Sequence, residues 1–240
     1  MIWMLARLPE TLPEQNRRPI RFGLMKQAVA EIFAHPVVRL AIVVQSLAMA
    51  TLITLLMIVH QAYDEIYGRA ASFPYWFGAT ALVSALASWC NASLVGRLGM
   101  RRLVTTSFMI QVVLSGSIWL FALTELAEPY GFVIFLFWQF SLFLHAGLTL
   151  GNLNAMGLEP MGHIAGMTAS IMGGVSTVVA ACLASPVITL MGSMVTPLVL
   201  YILALSVLGL LILLILARAE RRVMRDTMPV FVRQKSKPPK

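Results

Sequence analysis

Acidic residues are missing from every long apolar run of this chain. Its 10 Asp and Glu residues all lie between or outside those runs. This excludes a carboxylate pair within the runs and leaves no buried acid to complete a Ser/His/Asp set. Cysteine is almost missing as well. Cys90 and Cys182 are the only two, and they fall in different apolar runs at different depths, so no disulfide framework is expected. No HExxH or CxxC spacing occurs, so no metal site and no cofactor are expected. An intramembrane enzyme is the class these absences weigh against most.

What the chain has is apolar length. Of its 240 residues 59% are hydrophobic and 12% are charged, more apolar surface than a soluble domain can bury. Six runs, at 36–60, 73–95, 103–124, 130–152, 163–187 and 194–217, each supply the ~20 residues a helix needs to cross a bilayer. The expected fold is an all-α membrane protein with six transmembrane helices. The start MIWML is too short for a cleavable signal and meets Arg7 and Pro9 at once.

The net charge of +8 is distributed as topology rather than as a nucleic-acid surface. Of the 18 Lys and Arg, 17 fall in the N-terminal segment, at Arg39, in the turn Arg97–Arg102 or from Arg218 onward. Arg69 alone shares the alternate loops with Asp64, Glu65, Glu125 and Glu128. The positive-inside rule then puts both termini in the cytoplasm, with membrane lipid as the surrounding partner and no nucleic acid. Three segments follow: residues 1–35, a cytoplasmic linker ending in an amphipathic surface helix; 36–217, the bundle; and 218–240, a basic tail. The surface helix is expected over 20–35, with Phe22, Met25, Val29 and Ile32 on one face. RQKSKPPK at the end of the tail reads as disordered.

Two runs carry stripes of small residues at helical spacing. Gly78, Ala81, Ala85, Ser88, Ala92 and Gly96 form the first; Gly166, Ser170, Gly173, Thr177, Ala181 and Ala184 form the second. In lipid such faces serve close helix packing, static or sliding. The fourth run bears the one ordered polar stripe: Trp138, Ser141, His145, Thr149 and Asn152. It either lines a binding cavity or holds a neighbouring helix. The third run scatters Thr105, Thr106, Ser107, Gln111 and Ser115 among bulky residues, and the sixth is apolar nearly all round, as for a lipid-facing helix. In threes, the runs read polar-bearing, small-striped, bulky, and then the same again. That order suits a 3+3 inverted repeat.

The segments LPETLPEQNRRP, YGRAASFPYWF, NASLVGRLGMRR and GLEPMGHIAGMTASIMGG together resemble drug/proton antiporters of the major facilitator superfamily, nearest the bicyclomycin- and chloramphenicol-resistance (Bcr/CflA) type. The likeness covers nearly the whole chain but only spans seven to twelve of such a protein, with LPETLP similar to the exit from its sixth span. Arg97, Gly99, Arg101 and Arg102 match the second copy of the superfamily's cytoplasmic loop motif; Gly96 stands at its acidic position and Ala92 at its leading glycine. The resemblance implies multidrug efflux across a bacterial inner membrane, a small amphiphilic substrate, and an N-terminal half or a second copy as partner. In relatives the coupling carboxylates belong to the N-terminal half, which leaves His145 and His60 as the titratable groups within these spans. Trp138, Ser141, His145, Thr149 and Asn152 are then the candidate substrate contacts, and Gly166, Ser170, Gly173 and Thr177 a helix-packing interface. The alternatives are a non-transporting helical membrane subunit and a truncated transporter remnant.

Overall fold

The computed structural model describes Arg7 and residues 22–124, 127–191 and 195–227, with the side chains of all but 127–129, 188–191 and 219–227. The expected linker at 8–19, Glu125 and the RQKSKPPK end lie outside the described residues. Among the described residues the fold is helical: α1 (Phe22–Ala34), α2 (Pro36–Gln61), α3 (Phe73–Leu98), α4 (Met100–Phe121), α5 (Ala127–Leu158), α6 (Ala165–Met191) and α7 (Val195–Thr227).

The chain's punctuation sets these boundaries. Pro36 and Pro74 sit in the first turns of α2 and α3, where a missing N–H costs nothing. Gly99 ends α3 at φ 79°, a conformation that favours glycine, and the next residue opens α4. Glu159-Pro160 opens a short 3-10 segment, Glu159–Ile164, in which Met161 leaves helical geometry at φ −115° and ψ 28°. At the other end of the bundle α2 runs on through a π turn, Ala62–Ile66, and a 3-10 turn, Ala70–Ser72, precedes α3.

Five helical stretches are long and apolar enough to cross a membrane, so the chain has the make-up of a multi-pass membrane protein. One of the five, Tyr130–Val187, holds 58 residues. Straight, it would be about 87 Å long, nearly three bilayer cores. It is folded back at the Met161 break, as the packing clusters show. At one end of the bundle Val37, Val44 and Ala48 of α2 meet Val104 and Phe108 of α4, Leu153 and Met156 of α5, and Leu213 and Leu216 of α7. At the other end Leu55, Ile58 and Tyr63 meet Phe135 and Trp138 of α5, Val187 of α6 and Leu198 and Ile202 of α7. Helix α6 therefore starts beside Val38 and Ala41, through Met172, and finishes beside Ile58. Each helix from α2 to α7 reverses the direction of the one before it. Both α1 and the end of α7 lie at the Val37 end.

Helix α2 is central and packs on α5, α6 and α7; α4 packs on α5 and α7. Helices α2, α5, α4 and α7 close a four-helix ring. The small-striped helices flank it without packing on each other, α3 against α5 and α6 against α2. Glycine lets two of these contacts close: a methyl on Gly147 of α5 would stand 2.6 Å from the Ala87 Cβ of α3, and one on Gly209 of α7 would strike the Phe108 ring of α4.

Three expectations change. Ile32 does not share an open face with Phe22, Met25 and Val29: it is buried with Ala28 against α2, while those three are exposed. The sixth run is not the lipid-facing helix, because Leu198, Val199, Ile202, Leu205 and Leu213 of α7 are buried. The most open helix is α3, with 11% of its apolar window buried against 67% for α2. Finally, α7 continues ten residues beyond 217, to Thr227. Hydropathy falls at Arg218, but ARAERRVMRDT holds no glycine or proline and consists mostly of good helix formers.

Candidate functional site

The polar stripe of α5 faces α4, and it is met there by a second stripe. Ser107, Gln111 and Ser115 recur at every fourth residue of α4, one helix face, and all three are buried. The Trp138 Nε1–H donates to Ser115 Oγ at 2.9 Å, and Gln111 Nε2 donates to the same oxygen at 3.0 Å. Ser141 Oγ–H reaches Gln111 Oε1 at 3.3 Å and its own helix at the Trp138 carbonyl, 2.7 Å. Ser107 Oγ and His145 Nδ1 are 2.9 Å apart, with the Phe108 ring edge-on to the imidazole, centroids 4.6 Å apart.

The lower part of the stripe turns elsewhere. Thr149 Oγ1–H bonds back to the His145 carbonyl at 2.7 Å and reaches no other helix. Asn152 Nδ2 donates to Asn91 Oδ1 of α3 at 2.5 Å and to the Leu148 carbonyl at 2.8 Å. The five residues are thus brought into one line, and the line is a helix–helix seam. Of the two readings open to this stripe, a cavity lining or a bond to a neighbouring helix, the burial of Trp138, His145, Thr149 and Asn152 by neighbouring helices favours the second. Interhelical hydrogen bonds of this kind hold membrane helices in register because hydrocarbon offers the groups no other partner.

Four buried polar atoms within the spans keep no partner among the described residues: Gln45 Oε1, Thr54 Oγ1, Gln139 Nε2 and His145 Nε2. Gln139 Oε1 does have one, the Tyr63 hydroxyl at 3.2 Å. His60 is exposed and packs edge-on against Phe73. Among the described residues no group of His, Cys, Asp and Glu could hold a metal, and Cys90 and Cys182 are both free.

The small-residue stripes point out of the bundle. Gly78, Ala81, Ala85, Ser88, Ala92 and Gly96 of α3 are all exposed, as are Gly166, Ser170, Thr177 and Ala181 of α6. Gly173 is half-buried, and only Ala184, at the far end, is buried. A methyl added at Gly78, Gly96, Gly166 or Gly173 would touch nothing within 4 Å. Among the described residues, therefore, Gly166, Ser170, Gly173 and Thr177 pack against no other helix as an interface. Among the described residues the close approaches are at Gly147, Gly157 and Gly209, which belong to neither stripe. Part of this is visible in the sequence: Ser107, Gln111 and Ser115 are four apart, the period of a face, but Thr105 and Thr106 beside them blur the stripe.

Arg97, Gly99, Arg101 and Arg102 form the α3–α4 turn at the Val37 end, with Gly99 as the N-cap of α4. Arg97 and Arg102 are exposed and Arg101 is half-buried. A pocket of about 480 Å³ opens beside them, reaching His35 at the start of α2 and Glu159 after α5. No family model, no curated protein and no solved structure matches this chain.

Proposed function

We propose that this chain is the C-terminal half of a secondary transporter, a multidrug/proton antiporter of the bicyclomycin/chloramphenicol type in the bacterial inner membrane, with both termini cytoplasmic. The observation that carries the reading is the pair of open small-residue faces on α3 and α6. Apolar side chains gain little from one another in lipid, so a smooth face is useful where another backbone comes close. Among the described residues nothing comes within 4 Å of a Cβ built at Gly78, Gly96, Gly166 or Gly173. A second bundle of matching surface would.

The packing supports the repeat as well. Exchanging α2 with α5, α3 with α6 and α4 with α7 carries the main helix contacts onto one another. Since α2 and α5 run in opposite directions, such an exchange inverts one triplet relative to the other, the relation expected of a 3+3 inverted repeat. Alternating access rocks one bundle against another around a site between them, so a single bundle supplies one wall. It also has no carboxylate in its spans to couple efflux to the proton gradient.

The reading predicts no proton-driven ethidium or chloramphenicol efflux from vesicles holding this polypeptide alone, and efflux once an N-terminal half is supplied. Gly173→Leu should then weaken pairing more than Ile171→Leu. Uphill transport by the chain alone, lost in His145→Ala, would overturn the proposal and make His145 the proton carrier. One observation favours a second reading, a non-transporting helical subunit: Trp138, Ser141, His145 and Asn152 are engaged in seams rather than turned to a cavity. Stable pairing without transport would select it.

A further inference from the structure

Aromatic side chains gather at the Tyr63 end of the bundle, around the ring of Phe132 near the start of α5. Tyr63, Tyr67 and Trp76 meet that ring edge-on, with centroids 5.5, 5.4 and 6.1 Å away. Both phenol hydroxyls are already donated, Tyr63 to Gln139 Oε1 and Tyr67 to the Gly131 carbonyl, each at 3.2 Å. What these walls present is π surface, at a place where Phe132 is half-buried and Trp76 is exposed.

A cation already stands there. The Arg69 guanidinium lies over the Phe132 ring, 4.5 Å from its centroid. Arg69 follows Gly68, whose φ of 59° turns the chain, and its backbone N–H donates to the Tyr63 carbonyl at 2.7 Å. The backbone is thus anchored beside the aromatic cluster, while the residue itself is exposed and its side chain can leave without moving the turn. Asp64 and Glu65 are exposed on the turn just before it, yet among the described residues Arg69 forms no ion pair with either. Attraction between a cation and the negative face of an aromatic ring accounts for where the guanidinium lies.

We propose that the Phe132 face is a binding site for a small organic cation of the quaternary ammonium class, and that Arg69 occupies it when no ligand is bound. A quaternary ammonium carries its charge without N–H donors. It needs π surface rather than hydrogen-bond acceptors, which is what Phe132, Tyr63, Tyr67 and Trp76 supply. On binding, the ligand takes the ring and the Arg69 side chain turns out to water, with Asp64 and Glu65 on the same turn to balance its charge. The inference rests on the geometry of the Tyr63 end and not on transport, so its failure would leave the transport reading untouched.

The test is fluorine NMR of the full chain, labelled with fluorotryptophan and held in maltoside micelles. It reads the site through the Trp76 resonance, assigned with Trp76→Phe. The probes are choline and its neutral isostere dimethylbutanol. Choline should shift the Trp76 resonance with an affinity roughly two- to fivefold above that of the isostere, the share an exposed cation–π contact supplies. Arg69→Gln removes the competing cation and should tighten choline binding by about the same two- to fivefold. Phe132→Leu should erase both the preference for choline and the gain from Arg69→Gln. A gain in affinity is not an effect that damage to the fold produces, so the Arg69→Gln result stands even if Phe132→Leu fails to fold. An equal response to the two probes would overturn the proposal, leaving an apolar surface only. No shift with choline, or choline binding unchanged or weaker in Arg69→Gln, would overturn it as well.

Discussion

Two glycines of this bundle should respond to the same methyl group with opposite signs. At Gly147 an added Cβ would lie 2.6 Å from the Cβ of Ala87, a residue with no exposed surface, and 3.8 Å from the Ser84 carbonyl. Neither neighbour is the free end of a flexible side chain, so α3 and α5 must part by about 1 Å to restore ordinary contact. Forced overpacking of this kind costs about 1–3 kcal/mol. At Gly173 the same methyl meets nothing within 4 Å. Both positions are inside helices, so alanine gains about 1 kcal/mol of helix propensity at each, and that gain cancels in the difference. Gly173→Ala should raise the stability of the isolated chain by up to ~1 kcal/mol. Gly147→Ala should lie about 1–3 kcal/mol below Gly173→Ala. Reversible unfolding in mixed micelles, followed by circular dichroism, measures both. Equal stabilisation by the two substitutions would refute the α3–α5 contact and with it the docking of α3.

Other expectations follow from the seam and the alternation of helices. Ser115→Ala removes the acceptor of both Trp138 and Gln111, and a double-mutant cycle of Ser115→Ala with Trp138→Phe should return a coupling of about 0.6–1.7 kcal/mol. An additive cycle would show that the 2.9 Å contact contributes nothing. Single cysteines at Ser72 and Arg101, in a background without Cys90 and Cys182, should be labelled from opposite sides of the membrane. Labelling from one side would contradict the traverse of α3.

The long apolar helices and their alternation were legible in the sequence because they depend on length and hydropathy alone. The Glu159-Pro160 turn was legible too, since proline and a polar cluster interrupt an apolar run. What the sequence hid was which face of each helix meets which neighbour. In water the buried face of a helix is its apolar face, but in lipid both faces are apolar and periodicity loses its sign. The sixth run shows this: nearly uniform in hydropathy, it nonetheless buries Leu198, Ile202 and Leu213 and exposes Leu200, Leu208 and Leu211. The small stripes on α3 and α6 are regular but mostly exposed among the described residues, whereas a contact that does close, Gly147 on Ala87, lies in no repeat. The polar stripe was visible on α5 and its role was not, because a stripe that lines a cavity and one that joins a helix are the same string of letters. Only the matching stripe on α4 separates them.

The pair Tyr63–Gln139 tests how far buried polar groups in this bundle depend on one another. Both residues have no exposed surface, and the Tyr63 hydroxyl donates to Gln139 Oε1 at 3.2 Å. The ring of Tyr63 sits edge-on to Phe73, Phe132 and Phe135, contacts that phenylalanine would keep. Tyr63→Phe therefore removes one hydroxyl and little else. It leaves the Gln139 amide with neither end paired, because Nε2 already has no partner. A stranded buried amide costs about 1–3 kcal/mol, whereas replacing both partners by apolar groups of similar shape is close to neutral. Tyr63→Phe should therefore destabilise the chain by about 1–3 kcal/mol, and adding Gln139→Leu should recover most of that loss. Gln139→Leu alone strands the tyrosine hydroxyl and should also cost stability. The same micelle unfolding reads all three variants. If the double variant is as unstable as the sum of the singles, the hydroxyl and the amide are not each other's partner, and the packing of α5 on α2 at the Tyr63 end needs another explanation.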